Sequence, residues 1–207
     1  MKIRGGGSYH FHFGLIDDSK RFEGFWGFSI NFNNKTLYRI NLCLTPNRHL
    51  LIGGLQGTKD LDERHYQFFA KYCKTRPNLF LIKLSKELAK FLGCSMVLGI
   101  PNEGQISIKN KNQKVFQDYD KLFSGCEATL VSVNDLSYWQ IPINEKPIED
   151  YPQKHRAKQR SRRKIIETFK QDLEKVLILN KSILEPLNPS NNLINHVLPR
   201  KQGIKIN

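Results

Sequence analysis

Residues 37–57 read LYRINLCLTPNRHLLIGGLQG, and the fold turns on how this stretch is parsed. Residues 37–44 alternate apolar and polar side chains, the two-residue period of a half-buried strand. Thr45-Pro46-Asn47 supplies turn residues, and residues 50–55 form a short, fully apolar run. Two strands joined by so short a turn pair antiparallel. Upstream, residues 9–16 (YHFHFGLI) and 25–32 (FWGFSINF) extend the pattern, and Asn33-Asn34 is an amide pair suited to positive φ in a tight turn. The chain therefore opens as a four-stranded antiparallel meander. Character changes at Gly53-Gly54-Leu55-Gln56-Gly57, which reads as a glycine-rich turn out of the last strand and into a helix.

Residues 61–73 read as helical, and Arg76-Pro77-Asn78 opens a second helix that stops before Gly93. Leu81, Leu84, Leu88 and Phe91 form its apolar face, with Lys83, Lys86, Glu87 and Lys90 on the other. Residues 94–100 (CSMVLGI) read as a buried strand, Pro101-Asn102-Glu103-Gly104 as a turn, and residues 105–108 as a further strand. Residues 118–123 suit a short helix and residues 128–133 a strand. A basic stretch, residues 151–164, leads into a long helix reaching about Leu179, with Ile165, Ile166, Phe169, Leu173, Val176 and Leu177 as its apolar stripe. The expected architecture is α+β (mixed α/β): a meander, two helices, a buried strand and a long basic C-terminal helix. It forms one domain over residues 1–180, with residues 181–207 as a loosely ordered tail.

At 207 residues and 39% hydrophobic content the chain builds a core without disulfides. The balance of 33 Lys+Arg against 19 Asp+Glu, a net charge of +14, points to polyanionic partners. No run of about 18 apolar residues is present and the N-terminus has no apolar signal region. Cys43, Cys73, Cys94 and Cys126 form no CxxC pair, which reads as small thiols of a reduced, cytoplasmic protein and not as zinc ligands. His10 and His12 share one side of a strand but make no complete metal site. Walker, GxGxxG, GxSxG and HExxH motifs are absent.

Lys154, Arg156, Lys158, Arg160, Arg162, Arg163 and Lys164 fall within eleven residues, at a helix start whose dipole is already positive. Either they form a solvated cationic face, or carboxylates of this chain or an external anion offset them. The glycine segment can bring backbone N–H groups to an anion, or can simply connect strand to helix. Arg76 at a helix N-terminus is a second anion site, or pairs with a local acid. Glu23, before Gly24 at the mouth of the second strand, is a general base if partly desolvated and a surface ion-pair residue otherwise. Tyr119-Asp120 is a possible acid or orienting pair.

In order and spacing, Arg21-Phe22-Glu23-Gly24, residues 51–57 (LIGGLQG), Arg76-Pro77, Tyr119-Asp120 and Lys154-His155-Arg156-Ala157 with Arg160 and Arg162 resemble the VirK/YbjX family over about residues 20–180. The resemblance implies a short member without the N-terminal segment of fuller ones. It departs from them at residues 101–104 and at Arg163, where an aromatic is usual. It implies a bacterial protein with a virulence or envelope role. The layout resembles GNAT-type acyltransferases, in which a glycine-containing loop and a helix N-terminus hold the pyrophosphate of an acyl-CoA. Two functions follow as expectations. In an acyl- or aminoacyl-type transferase, Gly53, Gly54, Gln56, Gly57 and Arg76 hold a CoA, acyl-carrier-protein or tRNA-linked donor that is not tightly bound. Glu23 or His65 takes a proton from the acceptor, and Tyr119, beside Asp120, returns one to the leaving thiolate. Lys154, Arg156, Arg160, Arg162 and Arg163 then dock the acidic carrier, or an anionic lipid surface at the periphery of the inner membrane. The alternative is a non-catalytic polyanion-binding module for RNA, DNA or anionic lipid.

Overall fold

Asn33 and Asn34 hold φ of 46° and 67°, both in the left-handed region, and so make the tight turn their amides favour. They join β2 (Trp26–Phe32) to β3 (Lys35–Leu44). β1 (Tyr9–Leu15) precedes them and β4 (His49–Gly57) follows. The computed structural model describes residues 8–15, 24, 26–58, 61–105 and 117–179. Glu23, the strand expected at 106–108, Ile16, Phe25 and the tail at 181–207 lie outside them.

Asp62 caps α1 (Glu63–Cys73) by accepting from the Arg64 amide, and Lys74 ends it with φ of 55°. α2 (Pro77–Phe91) begins with proline at its first position. β5 (Met96–Gly99) is followed by a 3-10 turn at Asn102–Gly104 and by α3 (Tyr119–Ser124). β6 (Thr129–Val133) and β7 (Leu136–Ile141) form a hairpin about Asn134-Asp135, again at positive φ. α4 (Gln153–Leu179) closes the described chain. The seven strands make one sheet in the order β1-β2-β3-β4-β5-β7-β6. All pairs are antiparallel except β4–β5, which is parallel and spanned by α1 and α2.

Phe13, Phe28, Ile40 and Leu55 are successive cross-strand partners on one face of the sheet. Tyr9 and Phe11 share that face and meet Phe69 of α1, Phe80 of α2 and Phe169 of α4. These helices therefore cover a single face. Ile166, Leu173 and Leu177 are buried, as the stripe of the long helix requires.

Three readings are corrected, and the polar face of α2 gains a partner. Gly53 to Gly57 are not a turn; they continue β4, and all of them but Gly53 pair with β3. Lys83 and Lys86 do not sit on a solvated face. The Glu145 carboxylate accepts from Lys83 at 2.6 Å and from Lys86 at 3.0 Å, and Lys86 is only 7% exposed. Burial pushes the Glu145 carboxyl up, but the two ammonium groups outweigh it and hold the group at about 2. The buried strand is shorter than residues 94–100, and β7 (LSYWQI) is an additional strand.

Candidate functional site

The β3–β4 ladder slips between Asn41 and Leu42: Asn41 faces Gly54, Leu42 faces Ile52, and Gly53 is the extra residue of a bulge. On its other edge β4 pairs with β5 only from His49 to Ile52. β5 ends at Gly99, so the last five residues of β4 outrun it. That edge is met by α3. The Tyr119 hydroxyl accepts from the Leu55 amide at 3.0 Å and faces the Leu55 carbonyl at 3.2 Å.

The position of α3 follows from contacts on both sides. A Cβ at Gly99 would stand 2.5 Å from the Phe123 ring, so the glycine makes room for it. Asp118 caps α3 by accepting from the Lys121 amide and also takes the Asn102 side-chain amide. These bonds, the backbone one foremost, hold its carboxyl below the usual range. The Asn102 carbonyl oxygen accepts from the Tyr119 amide at 2.9 Å. Asp120 accepts from the Trp139 indole at 2.7 Å and from the Asn102 amide at 3.2 Å. Asp120 thus orients α3. Beside it, Tyr38 donates to Gln117 at 2.9 Å, and burial pushes its phenol well above the ordinary value.

The structure brings Tyr119 to Gly53, Gly54, Gln56 and Gly57. Glu23 lies outside the described residues, but Gly24 is pressed against β3: a Cβ there would lie 2.9 Å from the Leu42 amide nitrogen and carbonyl oxygen. His65 is placed elsewhere. Its ring stacks on Phe32 at 4.3 Å. Phe32 lies two strands from Leu55, about 10 Å, and four residues further along, about 13 Å. Arg76 is exposed at the start of α2, without a side-chain cap. β5 begins beside the start of β4, so α2 runs back along the sheet and Arg76 sits at the end where β4 finishes.

The basic run divides. Arg156 donates to the carbonyls of Tyr151 and Glu149, Arg162 to that of Lys74, and Arg163 to that of Lys146. Backbone carbonyls take these three guanidinium groups, and among the described residues no carboxylate pairs with them. Lys154, Lys158, Arg160 and Lys164 are exposed and make no ion pair among the described residues. Burial pushes the Cys73 thiol up to about 12 and the Cys126 thiol up to about 11, which makes poor nucleophiles of both.

The residue that sequence reasoning missed is Asn41. It is 1% exposed, and among the described residues neither heteroatom of its amide has a hydrogen-bond partner. Within an alternating strand it reads as an ordinary outward polar position. Its one signal is indirect, since the residues opposite it are both glycine.

A single, mostly antiparallel sheet, with a glycine-bulged strand in its one parallel pair and a long basic helix, defines an α+β protein. The chain belongs to the family described as "Protein of unknown function (DUF535)", which is the VirK/YbjX family; the family model matches residues 2–175. An uncharacterized protein of Haemophilus influenzae (strain ATCC 51907 / DSM 11121 / KW20 / Rd) is 27% identical over 161 residues, covering 75% of this chain and 52% of that one. The chain thus spans about half the length of this curated relative. No solved structure matches. No described helix is long and apolar enough to cross a membrane.

Proposed function

We propose that the protein is an acyl- or aminoacyl-type transferase whose donor is carried on CoA, an acyl carrier protein or tRNA. One observation carries the reading: β4 outruns β5 where a two-glycine bulge interrupts its ladder with β3. Gly53, as the extra residue, has no Cα partner on β3, and with no side chain it lets a ligand come close to the backbone there.

In a thioester reaction an acceptor amine or hydroxyl attacks the carbonyl carbon, the C–S bond breaks, and the acceptor proton passes through a base to the leaving thiolate. No covalent enzyme intermediate is needed, which suits the raised cysteine thiols. Glu23, next to the pressed Gly24, serves as base in this scheme. The Tyr119 hydroxyl, already bonded to Leu55, acts at the bulge. His65 has no part in it. Arg76 and the exposed Lys154, Lys158, Arg160 and Lys164 give an anionic carrier its docking charge. Those same exposed cations also favour the second reading, a non-catalytic polyanion-binding module.

The test offers the full chain acyl-CoA and acyl carrier protein thioesters, with amine and hydroxyl acceptors, and follows free thiol. Thiol release is expected, abolished in a folded Glu23→Gln variant and with a raised KM in Arg76→Ala. If no thioester is consumed or protects against melting, while RNA binds with an affinity falling steeply with salt, the binding module replaces the transferase.

A further inference from the structure

Gly14, Gly27, Asn41 and Gly54 are successive cross-strand partners across β1, β2, β3 and β4. Direct partners point to the same face, so this row lies on the face opposite the helices, one residue from the apolar row of Phe13, Phe28, Ile40 and Leu55. Asn41 carries its only side chain. Neither Gly27, Gly53 nor Gly54 holds a positive φ, so the backbone does not demand glycine there. What these positions share is the missing side chain. The next row on the same face is polar: His12, Ser29, Arg39 and Gln56.

A buried amide with no partner costs the fold stability, and an apolar group of the same shape would serve folding better. We infer that Asn41 is a ligand-recognition residue, and that its carboxamide pairs with a secondary amide of the acyl donor, of the kind a pantetheine arm carries. The inference rests on the acyl-donor reading above. A carboxamide sets an acceptor and a donor side by side in one plane, which matches the C=O and N–H of a secondary amide. Gly54 lies between Asn41 and the edge of β4 that outruns β5, and it interposes no side chain. Gly27 and Gly54 are buried like Asn41, so a chain reaches the amide only by entering beside β4 at the bulge.

The experiment uses pantetheine itself, which has the amides but no phosphate, with the full chain and its Asn41→Leu variant. Without ligand the variant should melt about 2–4 °C higher than wild type. Pantetheine should raise the melting temperature of wild type only, and calorimetry should show binding weakened at least about tenfold in the variant. Asn41→Ala removes the amide without any overpacking and should lose binding alike. A variant less stable than wild type, equal pantetheine binding in both, or no binding by wild type each overturns the inference. Thioester turnover is scored separately. Turnover in wild type with Asn41-independent pantetheine binding sinks the role of Asn41 alone. Asn41-dependent binding without turnover keeps that role and sinks the transferase.

Discussion

Two rows of residues cross the same four strands one position apart, and they obey opposite rules. Phe13, Phe28, Ile40 and Leu55 present continuous apolar surface to three helices. Gly14, Gly27, Asn41 and Gly54, on the reverse face, present backbone and one unpartnered amide. The first row is what a sheet needs in order to fold. The second gives up side-chain burial at three positions and hydrogen bonding at the fourth, and such losses are characteristic of functional sites. On the proposed reading, stability and binding segregate by face.

The largest expected effect lies in the apolar row. Ile40→Ala should cost about 4 kcal/mol, since the surrounding aromatic cluster cannot close the cavity, read from the urea midpoint at unchanged m-value. A loss below about 1 kcal/mol would break the contrast between the faces. Next is the ionic tie that holds α2 over this row. Glu145→Ala leaves Lys86 buried without its partner and should cost about 3 kcal/mol. The folded carboxyl sits at about 2, below its unfolded value, so its contribution is present above about pH 4.5 and is lost as pH falls towards 2. Glu145→Gln should accordingly narrow its deficit between pH 7 and pH 3, and a deficit constant with pH would disprove the tie.

Gly99→Ala sharpens the comparison, because here a glycine on the helix side already has its space filled by Phe123. The added methyl should cost about 2 kcal/mol by displacing α3, with a changed Trp139 fluorescence as the local readout. Unchanged stability and emission would show that α3 shifts freely. The smallest effect is Tyr119→Phe, which removes one hydroxyl from the Leu55 peptide and should cost about 1 kcal/mol, with slowed thioester turnover if the transferase reading holds.

Much of the helix-side row was legible, because alternation and helical spacing are local patterns. The Asn33-Asn34 turn, the meander, the proline start of α2 and the stripe of α4 all follow from neighbours in sequence. The misread features depend on distant partners. That Lys86 is buried and paired could not be read, because Glu145 lies 59 residues away. The glycine pair looked like a turn because a bulge shows only in the register with β3. β7 escaped notice because its hairpin partner β6 is itself largely exposed and its one fully buried side chain is Ile141. At the site, the glycines and Tyr119 were legible as unusual residues, whereas Asn41 was not, since its oddity is the absence of a partner.

Asn102 meets Asp118 and Tyr119 through both ends of its side-chain amide. The chain on either side of residues 106–116 is thus stapled together without reference to the sequence joining it. The staple fixes where α3 starts, so Asn102→Ala should loosen Tyr119 at the Leu55 peptide while the sheet stays intact. The clasp is thus one point from which the bulge can be disturbed without touching β3 or β4.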